Sequence, residues 1–372
     1  AIERGHPWLF DRAIWKQSRD GQPGDLAVIF DRKRRFLAVG LYDPHSSIRV
    51  RILQHGEPAA IDRDWFGRTL SSAVQRRAPL FDAPKNAVTT GYRLVHGEND
   101  GLPGLVADRY GQTVVIKLYT PAWIPHLKDL LSALSGVAPS ERLVLRLGRA
   151  TLAQPQDLYG LSDGMILSGP DLDGPVRFWE NGLCFEADPI CGQKTGFFLD
   201  QRDNRARVEK LAHEKAVLDL FAYSGGFSVY AARGGAASII SVDRSLAALQ
   251  AAQRNLAYNN HIPSVAAASH QIIAEDAFEA LARMRKIGHH FDMLIIDPPA
   301  FAKSHAQVAQ AVSAYERLTR LSMSVLRSGG TLVQASCSSR VGAERFFEIV
   351  HRAAAEVGRP LHEIERTGHG LD

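Results

Sequence analysis

The sequence predicts an α/β protein: a doubly wound parallel sheet in the carboxyl-terminal part, preceded by a small β-barrel and a central α+β domain. Three observations carry that expectation. Five apolar runs in the last half, "AVLDLF", "ASIISVD", "HQIIAED", "FDMLIID" and "GGTLVQAS", alternate with stretches able to form helices, as strands buried on both faces of a parallel sheet require. Up to about residue 66 the chain instead holds short apolar runs between turns, which suits antiparallel strands. Its 372 residues exceed one ordinary domain, so two or three domains are expected.

The elements follow in order. Within residues 1–66, "DLAVIFD", "RFLAVGLYD" and "SSIRVRIL" are the barrel strands. "DWFGRTLSSAVQRR" reads as a connecting helix with Asp64 as its expected cap. The central domain, 67–175, contains "YRLVHGENDGLPGLVADRYGQTVVIKLY", where strand-like runs are broken by Gly and Pro turns. A helical stretch near 122–135 and the strand "RLVLRLG" complete it, and "SGPDLDGP" at 168–175 is the linker. The last domain, 176–372, opens on "VRFWENGLCFEAD", whose Asn-Gly pair between two strand-like arms signals a hairpin.

With 45% hydrophobic and 23% charged residues the chain is globular rather than disordered or fibrous. Three cysteines, Cys184, Cys191 and Cys337, are too few and scattered for a disulfide scaffold, and their spacing fits no zinc site. No metal is expected, and a reducing, cytoplasmic setting is the default. No apolar run approaches the roughly 18 residues of a membrane span, and "AIERGHPWLF" lacks the basic start and apolar middle of a signal peptide. No membrane partner is therefore expected. The chain opens on Ala1 and stops at "HGLD", from which one or both ends are expected to be trimmed. A net charge of +4, with clusters "DRKRRF" and "VQRRAP", leaves room for an anionic partner.

Ligands of an open α/β sheet bind beyond the carboxyl ends of its strands, so the residues there are the candidate site. Asp219 closes the first run. Gly225 and Gly226 follow at a turn before a helix, where they either admit a ligand close to the backbone or simply make a tight turn; the spacing is not that of the G-x-G-x-x-G fingerprint. Asp243 ends the second run, about 20 residues on, where an acid accepts ribose hydroxyls and argues against NADP. It could instead cap the next helix, a task open to Ser245 as well. Asp276, ending the third run, could take an adenine amine or cap a helix. Asp297 begins "DPPAF": Pro298 and Pro299 stiffen a loop suited to holding a planar base, with Phe301 as a stacking surface, or merely terminate a strand. Cys337 follows the fifth run among small polar residues, in "LVQASCSSRV", as a nucleophile or a packing residue. Cys184 and Cys191 lie outside this set and read as structural.

Taken in order, the glycine turn, Asp243, Asp276 and the Asp-Pro-Pro segment resemble the class I S-adenosylmethionine-dependent methyltransferases. A closer likeness exists. "GQKTGFFLDQRDNR" at 192–205 with "VLDLFAYSGGFSVYAA" after it, "GHPWLF" at 5–10 and "HGENDGLPGLVADRYG" at 96–111 are similar to the ribosomal RNA large-subunit methyltransferase I family. The likeness covers nearly the whole chain; each motif is weak alone, and their conjunction is specific. It implies an amino-terminal PUA-like RNA-binding barrel, a small central domain and a Rossmann-like methyltransferase domain. S-adenosyl-L-methionine is the implied cofactor. Lys194, Thr195 and Gln201 would line its pocket, with Phe221, Tyr223, Ser224 and Gly225 at the glycine turn and Asp243, Asp276 and Asp297 at the strand ends. Lys194 also has a plain reading as a solvated lysine before a helix. Pro298, Pro299 and Phe301 would meet the target base. The family has a further strand pair after the point where this chain stops, which leaves the last sheet edge open. The implied partner is 23S ribosomal RNA, naked or in a partly assembled large subunit, with a homodimer as a further expectation.

The chemistry gives the cysteine a reason. Carbon 5 of cytosine is a poor nucleophile, and a thiolate added to carbon 6 makes an enamine whose carbon 5 can attack a sulfonium methyl. Cys337 and Asp297 are the expected catalytic residues; a positive field would help to activate the thiol, and the sequence assigns no partner for it, with Arg340 or Lys194 as candidates. Many RNA cytosine-5 methyltransferases carry a second cysteine after the Asp-Pro pair; here the segment reads "DPPAF", as in the ribosomal family it resembles. Three other readings stand beside this one: methylation of guanine or adenine without a covalent intermediate, a non-catalytic RNA-binding protein that holds the cofactor, and a small-molecule methyltransferase.

Overall fold

The apolar runs that open the chain become antiparallel strands in the computed structural model, which describes residues 2–82, 87–302, 304–338, 340–368, 370 and 372. Strands β1 (Trp8–Phe10), β2 (Leu26–Phe30), β3 (Phe36–Tyr42) and β4 (Ile48–His55) form one sheet in the order β1-β4-β3-β2. The basic cluster at its tip is a turn: the Asp31 carboxylate accepts the amide hydrogens of Lys33 and Arg35, both at 2.8 Å, while Arg34 takes a left-handed backbone with φ 63°.

Helix α1 (Arg63–Arg76) follows, and its cap is Asp62, whose carboxylate accepts Trp65 N–H at 2.9 Å. This corrects the expectation for Asp64, which lies inside the first turn, where its charge favours the helix dipole but its backbone is already helical. Strands β5 (Gly91–His96), β6 (Leu105–Tyr110), β7 (Thr113–Leu118), β8 (Arg142–Leu147) and β9 (Ile166–Ser168) make a five-stranded sheet in that order. Only β7 and β8 run parallel in it, joined by α2 (Leu127–Val137), with α3 (Arg149–Leu152) a single turn beyond. Trp65, Phe66, Leu70, Trp123, Leu130 and Leu145 lie in the core between helices and sheet. The hairpin β10 (Val176–Glu180) and β11 (Leu183–Ala187) turns at Asn181 and Gly182, with φ of 48° and 79°. Those two positive angles are what the tight turn requires of an Asn-Gly pair.

The chain packs into two units, one running to Asp200 and including Asp372, the other spanning Gln201–Gly368. The second unit alternates helices α4 (Arg202–Leu211), α5 (Gly226–Arg233), α6 (Leu246–Tyr258), α7 (Pro263–Ala267), α8 (Ala277–Lys286), α9 (Val308–Val325) and α10 (Ala343–Glu356) with strands β12 (Ala216–Leu220), β13 (Ser238–Asp243), β14 (Ser269–Ala274), β15 (Phe291–Ile296) and β16 (Leu326–Gln334). All five strands are parallel, in the order β14-β13-β12-β15-β16. The five apolar runs of the sequence are these five strands. Leu218, Leu220, Val242, Leu294 and Ile296 are buried in the sheet core, as the near-continuous hydrophobicity demands. The chain fills the sheet outward from β12 to β14, then returns to the other side of β12, so the order reverses at β12, where such sheets bind ligands. Among the described residues no helix is long and apolar enough to cross a membrane.

Candidate active site

The segment after β12 is held in a rarely adopted backbone. Phe221, Tyr223 and Gly225 have φ of 61°, 49° and 73°; for the two aromatic residues a left-handed conformation is strained and persists only where neighbours fix it. Those neighbours are visible. Ala222 N–H donates to Val242 O at 3.0 Å, Tyr223 N–H to the Asp243 carboxylate at 3.0 Å, and the buried Asn255 side chain donates to Ser224 O at 2.8 Å. At Gly225 an added Cβ would lie 2.6 Å from Ala252 Cβ, so α6 crosses too close for any side chain.

Asp243 ends β13 and also takes Ser245 N–H at 2.9 Å on its other oxygen. Two amide hydrogens fix the carboxylate and leave it lone pairs for further donors. The α6 cap is Ser245, which accepts Ala248 N–H. Asp276 does cap α8, through Phe278 N–H at 2.9 Å on Oδ1.

Asp219 is fully buried inside β12. Burial, reinforced by the negative charges of Asp297 and Asp243 and opposed by a hydrogen bond from Ser228, pushes its carboxyl up to about 7. Ser228 Oγ donates to Asp219 at 2.7 Å and meets Ser241 Oγ at 2.8 Å, which in turn meets His270 Nε2 at 2.8 Å. Burial lowers His270 to about 4, so the imidazole is neutral. Sequence reading missed this polar chain, because two serines and a histidine spaced along three elements leave no local signal.

Asp297 and Cys337 stand together at the ends of β15 and β16. The ladder continues one rung past the strands, with Ala335 N–H donating to Ile296 O at 2.8 Å. It sets Cys337 Sγ 3.6 Å from Asp297 Oδ1, the thiol donating. Gln201 Nε2 donates to Asp297 Oδ2 at 3.0 Å, and Asn204 holds the Gln201 carbonyl oxygen at 2.6 Å. Of the two candidate cations, Arg340 Nη1 is 3.4 Å from His305 Nε2 and Lys194 Nζ is 2.7 Å from Asp200. Pro298 is buried and Pro299 exposed. The Phe301 ring meets Tyr315 edge-on at 5.0 Å and packs on the apolar core, so part of it is engaged in packing.

Lys194 and Thr195 belong to the first unit. Thr195 is 1% exposed, its hydroxyl donating to Asp108 at 2.5 Å and meeting Tyr110 at 2.9 Å. Lys194 has φ 54° and lies over the Phe198 ring at 4.4 Å, besides its pair with Asp200. Cys184 is buried in β11, and burial pushes its thiol up, whereas Cys191 is exposed in a turn held by Asp188. A groove of about 610 Å³ between α1 and α2, lined by Arg63, Arg68, Ser71, Gln75 and Ser132, contains none of the candidate residues. Among the described residues no group of three or more His, Cys, Asp or Glu could hold a metal ion.

A family model for S-adenosylmethionine-dependent methyltransferases matches residues 92–369, and one for a PUA-like domain matches residues 1–55. A ribosomal RNA large subunit methyltransferase of Deinococcus radiodurans is 45% identical over 100% of this chain and 90% of its own length. Ribosomal RNA large subunit methyltransferases I of Pseudoalteromonas translucida and Aliivibrio fischeri are 35% and 36% identical, each over 100% of this chain and 91% of their own. Among solved structures, a methyltransferase complexed with SAH covers 95% of this chain and 87% of its own at 22% identity, with a TM-score of 0.78. That last likeness concerns the fold.

Proposed function

Because the chain belongs to the ribosomal RNA large-subunit methyltransferase I family, within the S-adenosylmethionine-dependent methyltransferases, we propose that it methylates carbon 5 of a cytosine in 23S ribosomal RNA through a transient bond from Cys337. The observation that carries this reading is the thiol of Cys337 3.6 Å from the Asp297 carboxylate at adjacent strand ends.

S-adenosylmethionine supplies an electrophilic methyl on a sulfonium. The strand ends fit such a cation: Asp243 and Asp297 are acidic, and their charge helps to hold the Asp219 proton up to about 7, so positive charge is favoured there. Asp243 would hold the ribose, Asp276 the adenine, and the strained turn 221–225 the amino-acid portion. Asp297 takes the thiol hydrogen as sulfur adds to carbon 6, a base-activated nucleophile. Carbon 5 would then take the methyl, with the sulfonium leaving as the neutral thioether, and release of the carbon 5 proton to solvent would restore the ring and expel the thiolate, which takes back the proton held by Asp297. Gln201 keeps the Asp297 carboxylate turned toward the sulfur. The base must be unpaired or extruded to reach the site. We assign a barrel at 1–66, a middle domain at 67–175 and a methyltransferase domain at 176–372, the barrel binding RNA and the last domain acting on the base, and such a substrate belongs in the cytoplasm.

The test is RNA carrying 5-fluorocytidine, whose carbon 5 has no proton to lose. With cofactor present the wild type is expected to form a stable protein–RNA adduct and Cys337→Ala none. Cys337→Ala is also expected to lose methyl transfer to unmodified ribosomal RNA. Retained transfer by that variant, or a methyl mapped by mass to guanine or adenine, would overturn the cysteine mechanism.

A further inference from the structure

The loops that carry Asp297 and Cys337 are joined by one side chain that neither the motifs nor the proposed mechanism includes. Tyr315 lies in the middle of α9, the helix that links β15 to β16, and has no exposed surface. A buried phenol hydroxyl needs partners. Its partners are the two serines that flank the cysteine: Ser336 Oγ at 2.8 Å and Ser338 Oγ at 3.0 Å. Ser338 Oγ also accepts Phe301 N–H at 3.0 Å, from the loop that begins at Asp297. The Tyr315 ring is fixed as well, edge-on to Phe301 at 5.0 Å on one side and to Phe346 of α10 at 5.1 Å on the other.

The ring and hydroxyl therefore grip both loops at once. A residue whose only task was to fill the core would not need a hydroxyl at a depth where an unpaired one is costly. Phenylalanine has the same ring and would fill the same volume. The hydroxyl is used on the residues either side of Cys337, and those residues fix the direction of its Cα–Cβ bond.

Resting on the reading of Cys337 as the nucleophile, we propose that Tyr315 is a positioning residue: its hydroxyl, through Ser336 and Ser338, holds the Cys337 sulfur at the distance from Asp297 that attack requires. Misplacing a reacting atom by about 1 Å costs on the order of a hundredfold in rate.

The experiment compares the wild type, Tyr315→Phe and Ser338→Ala as full-length protein. Three quantities are read: kcat and KM for methyl transfer, the rate of adduct formation on 5-fluorocytidine RNA, and SAH binding by calorimetry. Tyr315→Phe is expected to lower kcat and adduct rate together by about tenfold to a hundredfold, with KM for RNA and SAH affinity within about twofold of wild type. Ser338→Ala is expected to do the same, and the double variant to lose little more than either single one, because both remove one network. Adduct formation at the wild-type rate in both variants overturns the proposal while leaving Cys337 as nucleophile. No adduct in the wild type overturns the reading on which it rests. If Tyr315→Phe loses SAH binding along with rate, Ser338→Ala decides: unchanged kcat there assigns Tyr315 to packing alone and overturns the proposal.

Discussion

Asp219 makes the stability of the second unit depend on pH in the direction opposite to most paired acids. An acid that titrates at about 7 when folded and near its ordinary 3.8 when unfolded holds its proton more tightly in the folded chain. Folding is then favoured by this group at low pH, and the benefit is lost as pH rises from 3.8 to 7. At about 1.4 kcal/mol per tenfold change, the whole interval amounts to about 4 kcal/mol, of which about 3 falls between pH 5 and 8. Asp219→Asn removes the titration and keeps an oxygen for the Ser228 hydroxyl, which donates at 2.7 Å. The variant is therefore expected to gain about 3 kcal/mol on the wild type between pH 5 and pH 8. Tryptophan fluorescence would miss this, because Trp8, Trp15, Trp65, Trp123 and Trp179 all lie outside the second unit. Hydrogen exchange of the β12 and β13 amides reads that unit directly. Parallel pH curves for the two proteins would refute the reasoning, since Asp219 would then be titrating in the ordinary carboxylate range.

Two further outcomes follow from the same loops. Gly225→Ala forces a Cβ to 2.6 Å from Ala252 Cβ at a φ of 73°; it is expected to cost about 1–3 kcal/mol of stability and to weaken SAH binding, measured by calorimetry. Adding Ala252→Gly should recover the part due to the clash and leave the part due to the backbone; full binding in the single variant would sink the idea. Gln201→Ala removes the 3.0 Å bond to Asp297 and is expected to lower kcat/KM for methyl transfer by about tenfold to a hundredfold, the worth of a hydrogen bond to a charged group. An unchanged kcat/KM would mean that Asp297 is oriented without it.

The strands of the second unit were legible because burial on both faces leaves an unbroken apolar run, a feature of composition that survives in one dimension. The hairpin was legible for a different reason, since Asn181 and Gly182 are the residue types that tolerate its two positive φ angles. The cap of α1 was misread by two residues. Asp62 and Asp64 are the same residue type two positions apart, and only the extended backbone at Asp62 decides which side chain can reach Trp65 N–H.

The candidate site divides along the same line. Its members at strand ends could be named one by one, because each closes a run. Their neighbours could not, because those depend on register between strands and on helices crossing the sheet. The sequence named no assignable partner for Cys337; the rung from Ala335 to Ile296 brings the Asp297 carboxylate to its sulfur. Under the proposed mechanism that carboxylate accepts the thiol hydrogen during attack. Under the same mechanism the thiol's reactivity depends on the seating of two loops, which Ser338 joins by accepting Phe301 N–H while the Tyr315 hydroxyl holds Ser336 and Ser338.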